Sequence, residues 1–70
     1  MPKPFLLKDI LRVLEHEGFF FVSQKGSHAK YRKNGKPVLT VIVPIHGKEI
    51  PYGTCRSIMR QANLPEEKFL

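Results

Sequence analysis

The apolar spacing of this chain changes period at Gly18, and that change limits the folds open to it. Before Gly18, Leu7, Ile10, Leu11 and Leu14 recur at helical spacing, with Lys8, Asp9, Arg12 and Glu15 on the other side. This predicts an amphipathic helix from about Phe5 to Glu17. After it, Phe19-Phe20-Phe21-Val22 begins a strand of residues that favour a pleated surface. A glycine at the junction can adopt the left-handed conformation that closes a helix.

Two further strands are expected, at about Ala29 to Lys33 and Pro37 to Val43. Between them stands Asn34-Gly35, the strongest short-range signal for a two-residue hairpin. Pro44, Gly47, Pro51 and Gly53 break the next stretch into a loop carrying His46, Lys48 and Glu49. Helical spacing returns from about Tyr52 to Gln61, with Cys55, Ile58, Met59 and Ala62 on one face, and Asn63 is expected as its C-terminal cap. Pro65 with Glu66 and Glu67 suits the first turn of a short last helix, leaving Phe69 and Leu70 to pack on the core.

The simplest way to bury these stripes is to lay two helices on one face of a three-stranded antiparallel sheet. The expected fold is therefore α+β in the order α-β-β-β-α, as one domain over residues 1–70. Strand alternation turns Leu39, Val41 and Val43 towards the helices and Val38 and Ile42 away from them, beside either Phe20 and Val22 or Phe19 and Phe21. The open face would be partly apolar, which points to a protein partner docking on that face or on a sheet edge.

Seventy residues bury only about 60% of the surface the unfolded chain exposes. A deep metabolite pocket is not expected, and a shallow site suits a long polymer better. The single cysteine, Cys55, rules out an intrachain disulfide, and the spacing of Cys and His gives no metal finger. Twelve Lys and Arg against six Asp and Glu leave a net charge of +6, which suits an acidic partner and equally a solvated surface that serves solubility, so charge alone does not decide between them. Nucleic acid is the commonest such partner, because Lys and Arg gain affinity by releasing counterions from phosphates. Lys8, Asp9 and Arg12 interrupt the apolar residues that follow Met1-Pro2-Lys3-Pro4, so neither a secretory leader nor a membrane span is expected. A reducing cytoplasm fits.

Gly26-Ser27-His28-Ala29-Lys30-Tyr31 sets one imidazole at the mouth of a strand, flanked by Lys25, Lys30 and Arg32. Cleaving RNA without a cofactor requires the 2′-hydroxyl to lose its proton as it attacks the adjacent phosphorus. Histidine is the side chain whose ordinary titration suits that proton transfer near neutrality. Lys25, Lys30 and Arg32 are candidates to neutralise the charge that develops on phosphorus. Gly26 allows close backbone approach to a phosphate, to which N–H groups and Ser27 can donate. His46 is a candidate second acid or RNA contact, and equally an exposed turn residue. His16, near a helix C-terminus, reads as structural, and Cys55 and Met59 read as core packing. Tyr31 alternates to the face opposite His28 and so belongs to the core rather than to base stacking. For an isolated histidine, phosphate binding without chemistry would be the preferred reading.

The Gly18-Phe19 junction, the Gly26-Ser27-His28-Ala29-Lys30-Tyr31 run, Val43-Pro44 with His46, and Gly53-Thr54 opening a helix that continues Arg56-Ser57-Ile58 together resemble the HicA toxins of type II toxin–antitoxin systems. The likeness spans nearly the whole chain in order. It implies a double-stranded-RNA-binding-domain-like fold, an mRNA-cleaving ribonuclease activity with its essential histidine at His28, and a HicB antitoxin partner covering the active site in a hetero-oligomer. Cys55 stands where the family usually has leucine, and Asn63 where glycine is common. Both are structural positions. The resemblance reverses the preference at His28 in favour of catalysis.

The rival from another class is a non-catalytic double-stranded-RNA-binding module. Such a module reads duplex phosphates with a lysine cluster at the start of its last helix. Here that helix opens Pro51-Tyr52-Gly53-Thr54-Cys55, without the cluster.

Overall fold

The computed structural model describes residues 4–70, so Met1-Pro2-Lys3 at the start of the leader argument lies outside the described residues. In chain order the elements are β1 (Phe5–Leu6), α1 (Leu7–His16), β2 (Phe20–Lys25), β3 (His28–Lys33), β4 (Leu39–Pro44), β5 (Glu49–Ile50), α2 (Tyr52–Ala62) and a closing 3-10 turn (Glu66–Phe69). The main sheet is antiparallel in the order β2-β3-β4. The expected α-β-β-β-α architecture is present, with both helices contributing to a core on one face of that sheet. Among the described residues no helix is long and apolar enough to cross a membrane.

The two helices end in the same way. Gly18 has φ +99°, its N–H donates to the Glu15 carbonyl at 3.1 Å, and the Phe19 N–H donates to the Leu14 carbonyl at 2.9 Å. Asn63 has φ +55°, with its own N–H on the Arg60 carbonyl at 3.1 Å and the Leu64 N–H on the Met59 carbonyl at 3.0 Å. Each is a Schellman motif, which satisfies carbonyls that a helix end would otherwise leave unpaired. In both, the residue after the left-handed one is apolar and packs against the core that the preceding turn also enters.

Ile10 and Leu14 of α1, Ile58 and Cys55 of α2, and Val41 and Val43 of β4 are fully buried, joined by Ala29, Tyr31, Phe19, Ile50, Met59, Ala62 and Phe69. Among the described residues no charged or polar side chain is buried, so apolar burial rather than interior ion pairing holds the layers together. The Cys55 thiol donates to the Ile50 carbonyl at 3.5 Å. Burial pushes its pKa up, which suppresses the reactive thiolate. Tyr52 stacks on Phe5, ring centroids 6.3 Å apart, and its hydroxyl donates to the Glu66 carboxylate at 3.0 Å. That bond favours the neutral phenol and raises the Tyr52 pKa, and it ties the closing turn to α2.

Four expectations are corrected. Asn34-Gly35 does not form a two-residue hairpin: Lys33 pairs with Leu39, so the connection runs from residue 34 to 38. Neither Asn34 nor Gly35 has the positive φ that a two-residue type I′ turn requires. The two-residue turn is instead Gly26-Ser27, closed by the pair Lys25↔His28, with Gly26 at φ +59°. Secondly, Phe5 is not helical: it pairs with Ile50, and Leu6 with Glu49, as a short ribbon inside what reads locally as a loop. Thirdly, Leu70 is 86% exposed and does not join the core, although Phe69 does. Fourthly, strict alternation along the aromatic run fails, because the register shifts between Phe21 and Ser23. A bulge there leaves Val22 as the extra residue and turns the strand locally.

Candidate active site on the open face of the sheet

Residues directly opposite one another in an antiparallel sheet share a face. Ala29, opposite Val43, and Tyr31, opposite Val41, are buried against the helices. Every second residue between them must therefore point to the open face. That assigns His28, Lys30 and Arg32 of β3 to one side of the sheet, spaced by about 7 Å along the strand. Lys25 lies across from His28, Ser23 across from Lys30 and Phe20 across from Arg32. On the other flank stand Pro44, Ile42 and Thr40 in the same three rows. His28 and Lys25 are exposed, while Lys30 and Arg32 are half-buried, as expected when long stems lie along neighbouring strands and carry their charges to water.

The Gly26-Ser27 turn fixes where this row begins. A positive φ at the first central residue and not at the second is the pattern of a II′ turn, for which glycine is the suitable first residue. A Cβ built on Gly26 would meet nothing within 4 Å. Backbone conformation, rather than lack of room, is what glycine supplies, and the turn remains open to an approaching group. The Gln24 amide donates to the Gly26 carbonyl at 3.0 Å, and the Ile45 N–H donates to the Ser27 carbonyl at 2.7 Å. The second bond ties the loop after β4 to the turn before β3. His46 is the residue after that anchor and is exposed.

All the residues singled out around Gly26 thus lie on this turn or on the open face of β3 and its partner strand. Lys33 does not: it belongs to the opposite parity, with its ammonium 5.9 Å from the Phe19 ring centroid and its stem 3.4 Å from where a Gly18 Cβ would be. Tyr31 faces the core as expected, and Phe21 meets its ring edge-on at 5.8 Å. Burial first, and the nearby Glu15 carboxylate second, raise the Tyr31 pKa, so its phenol does not serve as a base near neutrality. His16 lies in the last turn of α1, on an element of the helical layer.

Sequence reasoning did not single out Ser23 or Thr40, whose hydroxyl-bearing side chains share the open face with Lys30 and Arg32. The signal was available only in the register, which depends on where the β3–β4 loop closes. Among the described residues no group of three or more His, Cys, Asp and Glu side chains could hold a metal ion. The chemistry this face can support is acid–base transfer by an exposed imidazole within a field of fixed positive charge.

Comparison with known protein families finds a match over residues 7–64 to the family described as the HicA toxin of bacterial toxin–antitoxin systems. No match was found among the curated proteins.

Proposed function

The chain belongs to the HicA toxin family of bacterial toxin–antitoxin systems, and on that premise we propose that it is an mRNA-cleaving endoribonuclease with His28 as its general base. One observation carries the proposal. The exposed imidazole shares a sheet face with Lys25, Lys30 and Arg32, while the intervening Ala29 and Tyr31 are buried. A strand gives each of these groups a fixed position, so cation and base are held in a constant relation without a deep pocket.

In the proposed reaction, an RNA backbone lies across the open face with a phosphate near the Gly26-Ser27 turn. His28 accepts the proton of the ribose 2′-hydroxyl as that oxygen attacks the adjacent phosphorus. The bond from phosphorus to the 5′-oxygen breaks, leaving a 2′,3′-cyclic phosphate on one fragment and a 5′-hydroxyl on the other. Lys25, Lys30 and Arg32 offset the negative charge on the phosphorane-like transition state, where preorganised cations act most strongly. His46, on the loop tied to that turn, is the proposed donor to the departing 5′-oxygen. The steps require no metal or cofactor. Loss of mRNA would stop translation and growth in the cytoplasm, and a HicB-type antitoxin covering this face would prevent it.

End-group analysis tests the reaction. Single-stranded RNA incubated with the purified protein in chelator is expected to yield 2′,3′-cyclic phosphate ends, or the monophosphates formed by their hydrolysis, together with 5′-hydroxyl ends. Uncut RNA retained as a gel-shifted complex, with duplex bound more tightly than single strand, would instead mark a non-catalytic duplex-binding module.

A further inference from the structure

We infer that the antitoxin holds this protein by adding a strand, rich in acidic side chains, to the free edge of β2 beside the catalytic face. The inference rests on the proposed toxin–antitoxin pairing and names the surface and the mode of recognition.

The two edges of the sheet differ. At β4 the outward Ile42 N–H is taken by the Gln61 side-chain oxygen of α2 at 2.9 Å, so the helical layer caps that edge at Ile42. At β2, among the described residues, no strand pairs on the outer side. The pair Lys25↔His28 closes a two-residue turn and so exchanges its own backbone bonds. The N–H and C=O of the preceding Gln24 must then point away from β3, to the open edge. An unpaired edge of this kind is a template for another strand.

The surroundings of the edge indicate what would pair there. Phe20 is 44% exposed on the open face, and Phe21 is 53% exposed at the rim of the core face. A strand laid along β2 would cover both rings. Lys25 stands on the same strand, with Lys30 and Arg32 one strand further in. A second copy of this chain would bring another net charge of +6 against these cations, and Lys25 on the edge blunts pairing with a like-charged strand. An acidic strand meets them with opposite charge. Its open-face carboxylates would lie beside Lys25 and about 10 Å from His28, two strand spacings away. There they would weaken the field that attracts RNA phosphate. The backbone bonds would give affinity and the alternate side chains specificity, which is the division of labour in strand addition.

Hydrogen exchange on the purified complex of the protein with its co-expressed antitoxin tests the inference. The Gln24 amide is expected to exchange about two- to tenfold more slowly in the complex than in the free protein, as one new backbone bond of ordinary strength implies. Gln24→Pro removes that donor without removing a β2–β3 bond, and edge strands tolerate proline where the N–H faces outward. It should weaken antitoxin binding by about tenfold or more, whereas Gln24→Ala, which also loses the side-chain bond to the Gly26 carbonyl but keeps the backbone N–H, should not. An unchanged Gln24 exchange rate in an intact complex would overturn the inference, whatever the variant does. Cleavage by the free protein is read separately, so a failure of the ribonuclease proposal and a failure of this docking mode give different results.

Discussion

His28→Ala is expected to slow RNA cleavage by about 10²–10⁴-fold, the usual worth of a positioned acid–base group. RNA affinity should change little, because Lys25, Lys30 and Arg32 remain. The fold should not change either, because His28 is exposed at the end of β3 and takes no part in the core. Purified wild type and variant, compared by single-turnover cleavage and by filter binding, separate the two effects. Expression of the variant should also relieve growth arrest. Two comparisons sharpen the result. His16→Ala, in the last turn of α1, should leave cleavage unchanged. Lys30→Ala should weaken binding and flatten its dependence on salt, since one fewer counterion is released on association. Equal loss of binding and cleavage in His28→Ala would mean that the imidazole only holds phosphate.

The second large effect is on stability. Ile58 of α2 is fully buried at the centre of the interlayer core. Ile58→Ala should cost about 2–5 kcal/mol, combining lost transfer energy with the cavity left behind. For a chain of 70 residues the total stability to be expected is about 4–10 kcal/mol, so this one change removes a large fraction of it. In a domain of this size each kcal/mol lowers Tm by about 4–8 °C. Val38→Ala, at a position 53% exposed in the loop after β3, should shift stability by no more than about 0.5 kcal/mol. Urea titrations of the two variants read the contrast as a lower midpoint at an unchanged slope for the first and little change for the second.

The pattern of what was legible in the sequence follows from the range over which each signal acts. Gly18 and Asn63 were readable as helix ends because a Schellman motif is built from one turn of chain. The facing of Tyr31 and His28 was readable because alternation along a strand is also local. Asn34-Gly35 misled for an instructive reason. A two-residue hairpin there would set Tyr31 opposite Val38 and Ala29 opposite Thr40. Thr40 would then enter the core and Leu39 and Val41 would turn to the open face. The observed pairing of Tyr31 with Val41 and Ala29 with Val43 keeps the branched apolar residues inside. A register change that flips every side chain outweighs the preference of one dipeptide.

The β1–β5 ribbon escaped notice because two residues per strand carry no periodicity, and its partners lie more than forty residues apart in the chain. The bulge at Val22 could not be read from four consecutive apolar residues, which fit either alternation equally well. At the candidate site, Gly26, Ser27, His28 and the cations around them were named from sequence, but not the two-residue turn that Gly26 and Ser27 form. Ile42 was expected on the open face and Phe20 there as one of two alternatives; that Ser23 and Thr40 share this face required the register.

The central claim is that the ring of His28 takes its proton from the 2′-hydroxyl next to the bond that breaks. An RNA oligonucleotide carrying a single 2′-deoxyribose at the mapped cleavage position tests this directly, with the all-ribose strand as control and binding measured alongside. The account predicts that cleavage at that position stops while affinity is retained. Cleavage of the deoxy-substituted bond at the control rate would contradict it, because the attacking oxygen would then have to come from elsewhere.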